Sequence, residues 1–184
     1  MKRYCITGGI GAGKSYVCRL LNERGIMIYD SDKEARRIIN TSKDIHDKLV
    51  NLIGEDTYVD GVYNTAAVTK FLLASEENKQ AINRIVHPAV IDDFYRSGME
   101  WIECAIIYEA HLEQFVDKVI AVTAPRDVRI KRIMQRDGIS YDKAAQWVDG
   151  QYNQQEVAQR ADYIIINDGS ADLNKQIDEL LKKL

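Results

Sequence analysis

The residues best placed to do chemistry are Lys14 and Ser15, because of the run before them, Gly8-Gly9-Ile10-Gly11-Ala12-Gly13. The string fits G-x-x-x-x-G-K-[ST], in which glycines let consecutive backbone N–H groups turn toward one anion. A lysine at that place reaches the β- and γ-phosphates of a nucleotide such as ATP, and the hydroxyl after it can ligate Mg²⁺. The phosphates are expected against Gly9, Ile10, Gly11, Ala12, Gly13, Lys14, Ser15 and Tyr16, at the positive end of the helix that follows. The competing reading is a glycine-rich turn that only caps a helix. Chance produces such a string in about one chain of this length in a hundred, and the flanking pattern argues further for phosphate binding.

Asp30 and Asp32 follow the next apolar run. Either can N-cap a helix starting there. A carboxylate beside a γ-phosphate can also orient or deprotonate an acceptor hydroxyl, or hold Mg²⁺ through water. One can cap while the other does chemistry. Arg129, Arg132 and Arg136 recur at i, i+3 and i+7 and so share a helix face. They form either a solvated basic face or a lid that neutralises the transferring phosphoryl group and excludes water. Arg136, just before Asp137-Gly138, is the favoured lid arginine. Arg36, Arg37, Arg84 and His87 are either surface charges or the basic wall of a site for a phosphorylated acceptor. Glu109 is a further carboxylate of the site or a strand-end cap.

These residues need a scaffold, and apolar runs supply one. Strands are expected at 4–7, 26–29, 101–108, 118–123 and 163–166. A helix over 16–24 is expected to end at Gly25, and another begins near Lys33. The middle of the chain carries helical stripes at Ile45, Leu49, Leu52 and Ile53, at Val68, Phe71, Leu72 and Leu73, and at Ala81, Ile82, Ile85 and Val86. A small hairpin is expected within 56–64, and a separate helix after His87-Pro88. Pro125 suits the first turn of the arginine-bearing helix. One polar helical stretch covers 141–160, and a terminal helix covers 173–184. Strands alternating with helices predict an α/β fold with a five-stranded parallel sheet and helices on both faces. Ligands in such sheets bind beyond the carboxyl ends of the strands, which is where the glycine loop, Asp30/Asp32, Glu109, Pro125 and Asn167-Asp168-Gly169 fall.

The bulk composition narrows the field. The chain has 184 residues, enough for one domain with a real core. Net charge is −3, which argues against non-specific nucleic-acid binding as the main task. No apolar run reaches the roughly 20 residues that span a bilayer, and Met1-Lys2-Arg3 leads directly into the first strand. Cys5, Cys18 and Cys104 lack metal-ligand spacing and suit small core residues in a reducing cytoplasm.

With these residues in view, the chain resembles the dephospho-CoA kinase family over nearly its whole length. The resemblance rests on Ile6-Thr7-Gly8-Gly9-Ile10-Gly11-Ala12-Gly13-Lys14-Ser15 and on Asp30-Ser31-Asp32 followed by Ala35-Arg36. His87-Pro88, Ala105-Ile106-Ile107-Tyr108-Glu109, Gln135-Arg136-Asp137, Gln151, Ala161-Asp162-Tyr163 and Asn167-Asp168-Gly169 follow in the family's order. It implies a P-loop NTPase-type three-layer core over about 1–40, 99–125 and 161–184. A CoA-binding helical subdomain would cover about 41–98, and a lid about 126–160. The implied reaction is ATP plus 3′-dephospho-CoA giving ADP and CoA, in the cytoplasm, by a monomer or weak homo-oligomer that binds neither nucleic acid nor membrane. By the same resemblance Asp32 is the base toward the ribose 3′-hydroxyl and a Mg²⁺ contact beside Ser15. Lys14 handles phosphate and Arg136 is the lid arginine on ATP. Arg36, His87 and Glu109 belong to the acceptor side, and Asn167 lies near the adenine. Ala105, Val157 and Thr65 depart from the family pattern at places where proline, a basic residue and arginine are expected. Two other readings remain open at this point: a P-loop kinase for a nucleoside monophosphate, and a nucleotide-dependent switch.

Overall fold

The computed structural model describes residues 1–184. In chain order the elements are β1 (Tyr4–Thr7), α1 (Lys14–Asn22), β2 (Ile28–Asp30), α2 (Ser31–Thr41), α3 (Lys43–Ile53), β3 (Tyr58–Val59), β4 (Val62–Tyr63), α4 (Thr65–Ala74) and α5 (Glu76–Ser97). There follow β5 (Trp101–Glu103), β6 (Lys118–Thr123), α6 (Arg126–Asp137), α7 (Tyr141–Asp149), α8 (Gln154–Arg160), β7 (Tyr163–Ile166) and α9 (Leu173–Leu181). The chain divides into two compact units. One joins Met1–Tyr29 to Met99–Leu184, and the other is Asp30–Gly98.

The first unit is built on a five-stranded parallel sheet in the order β2-β5-β1-β6-β7. β1 is central, and all four of its residues are buried. A strand covered on both faces needs apolar side chains at every position rather than every second one. On one face Tyr4, Ile6, Trp101, Ile120, Val122 and Ile165 pack against Val17, Leu20 and Leu21 of α1 and Ile177 and Leu180 of α9. The last pair of the β1–β6 ladder is Thr7 with Ala121. Beyond it the chain leaves the sheet as the glycine loop, so the central strand aims the loop.

Three expected boundaries move, each for a local reason. The second strand starts at Ile28, not 26, because the Gly25 and Ile26 N–H groups bond back to the Asn22 and Leu21 carbonyls to close α1. Gly25 has φ +81°, the left-handed turn that ends many helices. The third strand stops at Glu103, well short of 108. The Cys104 N–H still donates to the Ile6 carbonyl at 3.0 Å, but β1 ends one residue later, at Thr7. With no partner strand left, 105–112 folds into turns closed by Ala110 N–H to Ile106 and Leu112 N–H to Ile107. The apolar run is buried all the same, at Ile107, Tyr108 and Leu112. The polar stretch 141–160 is two helices, with Asn153 capping the second by accepting from the Gln155 N–H at 2.9 Å.

The second unit is four helices and a hairpin. Each helix starts at a polar side chain that accepts from its first turn: Asp30, Ser42, Asn64 and Ser75. The hairpin pairs β3 with β4 across a two-residue turn, Asp60-Gly61, with φ +51° and +77°. Both central residues left-handed is the turn whose twist matches a hairpin. α5 supplies the core with Ile82, Val86, Val90, Ile91 and Phe94. The expected break at Pro88 is absent, and one 22-residue helix runs through it. Proline removes the amide that would bond the Arg84 carbonyl and costs about 3 kcal/mol in a helix interior. The five buried side chains on either side of it contribute more than that, at about 1.5–3 kcal/mol each.

Candidate active site

The loop between β1 and α1 has the shape of an anion cradle. Gly13 is left-handed at φ +93° and begins α1 with no side-chain cap, unlike the four helices of the second unit. No side chain therefore closes the positive end of α1, an arrangement that suits an anion. The Lys14 side chain folds back along the loop and donates from Nζ to the Gly8 carbonyl at 2.8 Å. Gly8, Gly11 and Gly13 are required by contact as well as by φ; on Gly11 (φ +77°) a Cβ would lie 2.7 Å from the Arg129 carbonyl oxygen. A Cβ on Gly8 (φ +143°) would sit 2.3 Å from the Val122 carbonyl oxygen, and one on Gly13 would sit 2.1 Å from Asn167 Nδ2.

What holds this shape is a set of donors on the outer wall. Arg129 Nε donates to the Ile10 carbonyl at 2.8 Å. Arg132 Nη1 donates to the Gly11 and Ala12 carbonyls at 3.3 and 3.4 Å. Asn167 Nδ2 donates to the Ala12 carbonyl at 2.8 Å, and its Oδ1 accepts from Arg132 Nη2 at 3.1 Å. Three consecutive carbonyls are therefore pinned outward. In a planar peptide the N–H opposes the C=O, so this pinning turns the Gly11 and Gly13 N–H groups the other way, while the Ala12 N–H closes the loop on the Gly9 carbonyl at 3.1 Å. Ile10 adds an apolar anchor, packing against the Ile130, Ile133, Ala144 and Val148 cluster between α6 and α7. Arg126 on α6 grips Asp149, the last residue of α7, through Nε at 2.8 Å and Nη2 at 2.6 Å.

The arginine face of α6 thus divides. Arg129 is 5% exposed, and burial lowers its affinity for its proton, though Asp149 opposes this. A guanidinium stays charged even so. Arg129 and Arg132 reach the loop. Arg136 lies at the far end of α6, exposed, in a bidentate pair with Asp137. That pair raises the Arg136 pKa and lowers the Asp137 pKa. Asn167 is buried, and its amide is spent on Ala12 and Arg132. Glu109 is exposed in the turns after β5, six residues past the strand end. Ser15 and Tyr16 are exposed on the first turn of α1.

In the second unit Asp30 takes the cap of α2, accepting from the Lys33 N–H at 2.9 Å. Asp32 lies in the first turn of that helix and is exposed. Arg37 is committed to structure, pairing with Glu34 within α2 and with Asp93 of α5 at 2.6 Å. Arg36, one position earlier, is exposed and outside that network. His87 is half-buried on α5, and burial pushes its pKa below the usual value. Thr65 begins α4, and Val157 is a buried residue of α8, so neither place asks for a charge on packing grounds.

Sequence reasoning put Arg129 and Arg132 on the right face but did not single them out. The i, i+3 spacing was the available signal. The contacts of Gln151 had no signal beyond its place in the order of motifs. Its Oε1 accepts from the Ile10 N–H at 2.7 Å and from Arg129 Nη2 at 2.8 Å.

Comparison with known proteins agrees with this architecture. The family model for dephospho-CoA kinase matches residues 4–172. The dephospho-CoA kinase of Bacteroides fragilis is 35% identical over 183 residues, covering 96% of this chain and 89% of that one. A Thermus thermophilus crystal structure superposes with a TM-score of 0.83 at 25% identity, covering 100% of this chain and 97% of that one. The dephospho-CoA kinase structure from Campylobacter jejuni shares the fold, with a TM-score of 0.68 at 22% identity and coverage of 100% and 97%. With a cradle for phosphates at the end of β1 and a family match over most of its length, the chain belongs to the dephospho-CoA kinase family, whose ATP-dependent phosphorylation of dephospho-CoA is the final step of coenzyme A biosynthesis.

Proposed function

We propose that this chain moves the γ-phosphoryl group of ATP to the ribose 3′-hydroxyl of dephospho-CoA, with Asp32 as the base. The observation that carries the ATP half is the outward pinning of the Ile10, Gly11 and Ala12 carbonyls, which preorganises N–H groups toward phosphate without cost at the moment of reaction. The division of labour between Asp30 and Asp32 supports the acceptor half. The cap is made by one carboxylate, so the other is available to take the hydroxyl proton. The 3′-oxygen forms the new bond to phosphorus while the bond to the bridging oxygen of ADP breaks. Lys14 and the first turn of α1 neutralise the charge left on ADP.

Arg36, His87 and Glu109 are proposed for the acceptor side, on the Asp30–Gly98 unit and the turns after β5. Arg136, exposed at the far end of α6, is proposed as a lid arginine that exchanges Asp137 for phosphate. Asn167 serves the nucleotide through Ala12 and Arg132. No group of three or more His, Cys, Asp or Glu side chains could hold a metal. The Ser15 hydroxyl and the exposed Asp32 carboxylate are oxygen donors of the kind that suit Mg²⁺, which keeps its waters and takes one or two protein ligands beside substrate phosphates. Ser15 would supply one and Asp32 a second, through water; the ion would supply charge neutralisation. No helix is long and apolar enough to cross a membrane. Work on small molecules in the cytoplasm, by a monomer or weak homo-oligomer without nucleic acid, is part of the same proposal.

The test is ADP and CoA formation from ATP, Mg²⁺ and dephospho-CoA, with adenosine, AMP and GMP as comparison acceptors. Turnover with dephospho-CoA alone, with CoA appearing in step, is expected. Turnover with a nucleotide acceptor instead would move the substrate assignment.

A further inference from the structure

One end of the loop is already engaged by a side chain. Gln151 sits in the 150–153 connection between α7 and α8, with Oε1 at 2.7 Å from the Ile10 N–H and 2.8 Å from Arg129 Nη2. Both partners are donors only, so the amide must present its oxygen to them. Gly9 makes room for the trio: a Cβ there would lie 2.4 Å from Arg129 Nη2 and 2.8 Å from Gln151 Oε1. Arg129 is buried, with Nε tied to the Ile10 carbonyl. Its Nη2 and the Ile10 N–H are therefore a fixed pair of donors focused on one point. A backbone N–H plus a guanidinium N–H is a donor set for a phosphate oxygen. A neutral amide oxygen fills that point in this structure.

We propose that the Ile10 N–H and Arg129 Nη2 form a subsite for an oxygen of the terminal phosphate, and that Gln151 is its stand-in, displaced when a triphosphate binds. This rests on the reading that the loop holds ATP, with the β-phosphate at the Lys14 end and the terminal phosphate toward Ile10. The two sides of the exchange differ in freedom. Gln151 is exposed on a short connection and can leave, whereas Arg129 is buried and stays. They also differ in charge. An anionic oxygen makes stronger hydrogen bonds to the same donors than an amide oxygen does, so the exchange runs toward phosphate. ADP, lacking the terminal group, leaves Gln151 in place. The subsite therefore separates ATP from ADP, and filling it releases the α7–α8 connection from the loop.

The test is calorimetric titration of the full chain with ATP and, separately, ADP, for wild type, Gln151→Ala and Gln151→Glu. Gln151→Ala is expected to bind ATP about threefold to tenfold more tightly, the worth of one net competing hydrogen bond, with ADP within about twofold. Gln151→Glu places a fixed anion on Arg129 and is expected to weaken ATP by about tenfold or more while sparing ADP. Unchanged or weaker ATP binding by Gln151→Ala overturns the proposal, because the glutamine is then idle or is itself a ligand. Equal shifts for ATP and ADP overturn it too. A wild-type chain that binds neither nucleotide overturns the loop assignment itself, and the subsite with it.

Discussion

Arg132 Nη2 and Asn167 Oδ1 meet at 3.1 Å, and both side chains also reach the Ala12 carbonyl. One comes from the middle of α6 and the other from the end of β7. Asn167 is itself set by its N–H, which donates to the Thr123 carbonyl at 2.8 Å. Two ends of parallel strands and one helix thus converge on a single peptide of the phosphate loop. Losing either side chain frees that peptide to rotate. Asn167→Ala and Arg132→Ala are each expected to weaken ATP binding by about tenfold. The double variant is expected to be little worse than either single one. Calorimetry on the four proteins checks this; simple additivity would mean that the two residues act separately.

Lys14→Ala is expected to lower kcat by about 10³ or more, because the cation that follows the transferring group is gone. Steady-state kinetics with dephospho-CoA is the check. Retained turnover would remove the loop from the active site.

Asp30 and Asp32 are two residues apart and should fail differently. Asp30→Ala removes a helix cap and is expected to cost about 1 kcal/mol of stability, with kcat close to wild type. Asp32→Asn is expected to leave stability and ATP binding intact while lowering kcat by about 10² or more. Denaturant unfolding and single-turnover kinetics on both variants separate the roles. A wild-type rate for Asp32→Asn would exclude it as the base.

Gly8→Ala forces a Cβ against the Val122 backbone, which has no flexible end to move away. It is expected to cost about 3 kcal/mol, from the unfavourable φ and the overpacking together. Urea unfolding is the measurement, and a loss under 1 kcal/mol would show that the loop yields.

His87 gives a pH dependence. Burial holds its pKa below the ordinary 6.5, so the unfolded chain binds that proton more readily than the folded chain does. The associated stability is present above the unfolded value and is lost as pH falls through the folded one. Between pH 7.5 and 5, His87→Gln is therefore expected to lose less melting temperature than wild type. Parallel curves would remove His87 as a contributor.

Local chemistry made much of the protein legible in its sequence. Gly8 to Ser15 announces a phosphate cradle, because only glycine tolerates φ +143° and +93° with backbone or side-chain atoms against the missing Cβ. Asp60-Gly61 between short apolar runs marks a hairpin, and the unbroken apolar run of β1 marks a central parallel strand. Other features were decided by tertiary contact. The third strand ends at Glu103 because its ladder partner ends, not because its own residues change character. Pro88 stays inside a helix because the core on either side outweighs one lost hydrogen bond. Three arginines at i, i+3 and i+7 share a face, but only the packing of Ile10 against α6 and α7 brings Arg129 and Arg132 to the loop and leaves Arg136 with Asp137. Periodicity gives the direction of a side chain about its own helix. Which carbonyl it meets depends on residues more than a hundred positions away, and that is a property of the folded chain.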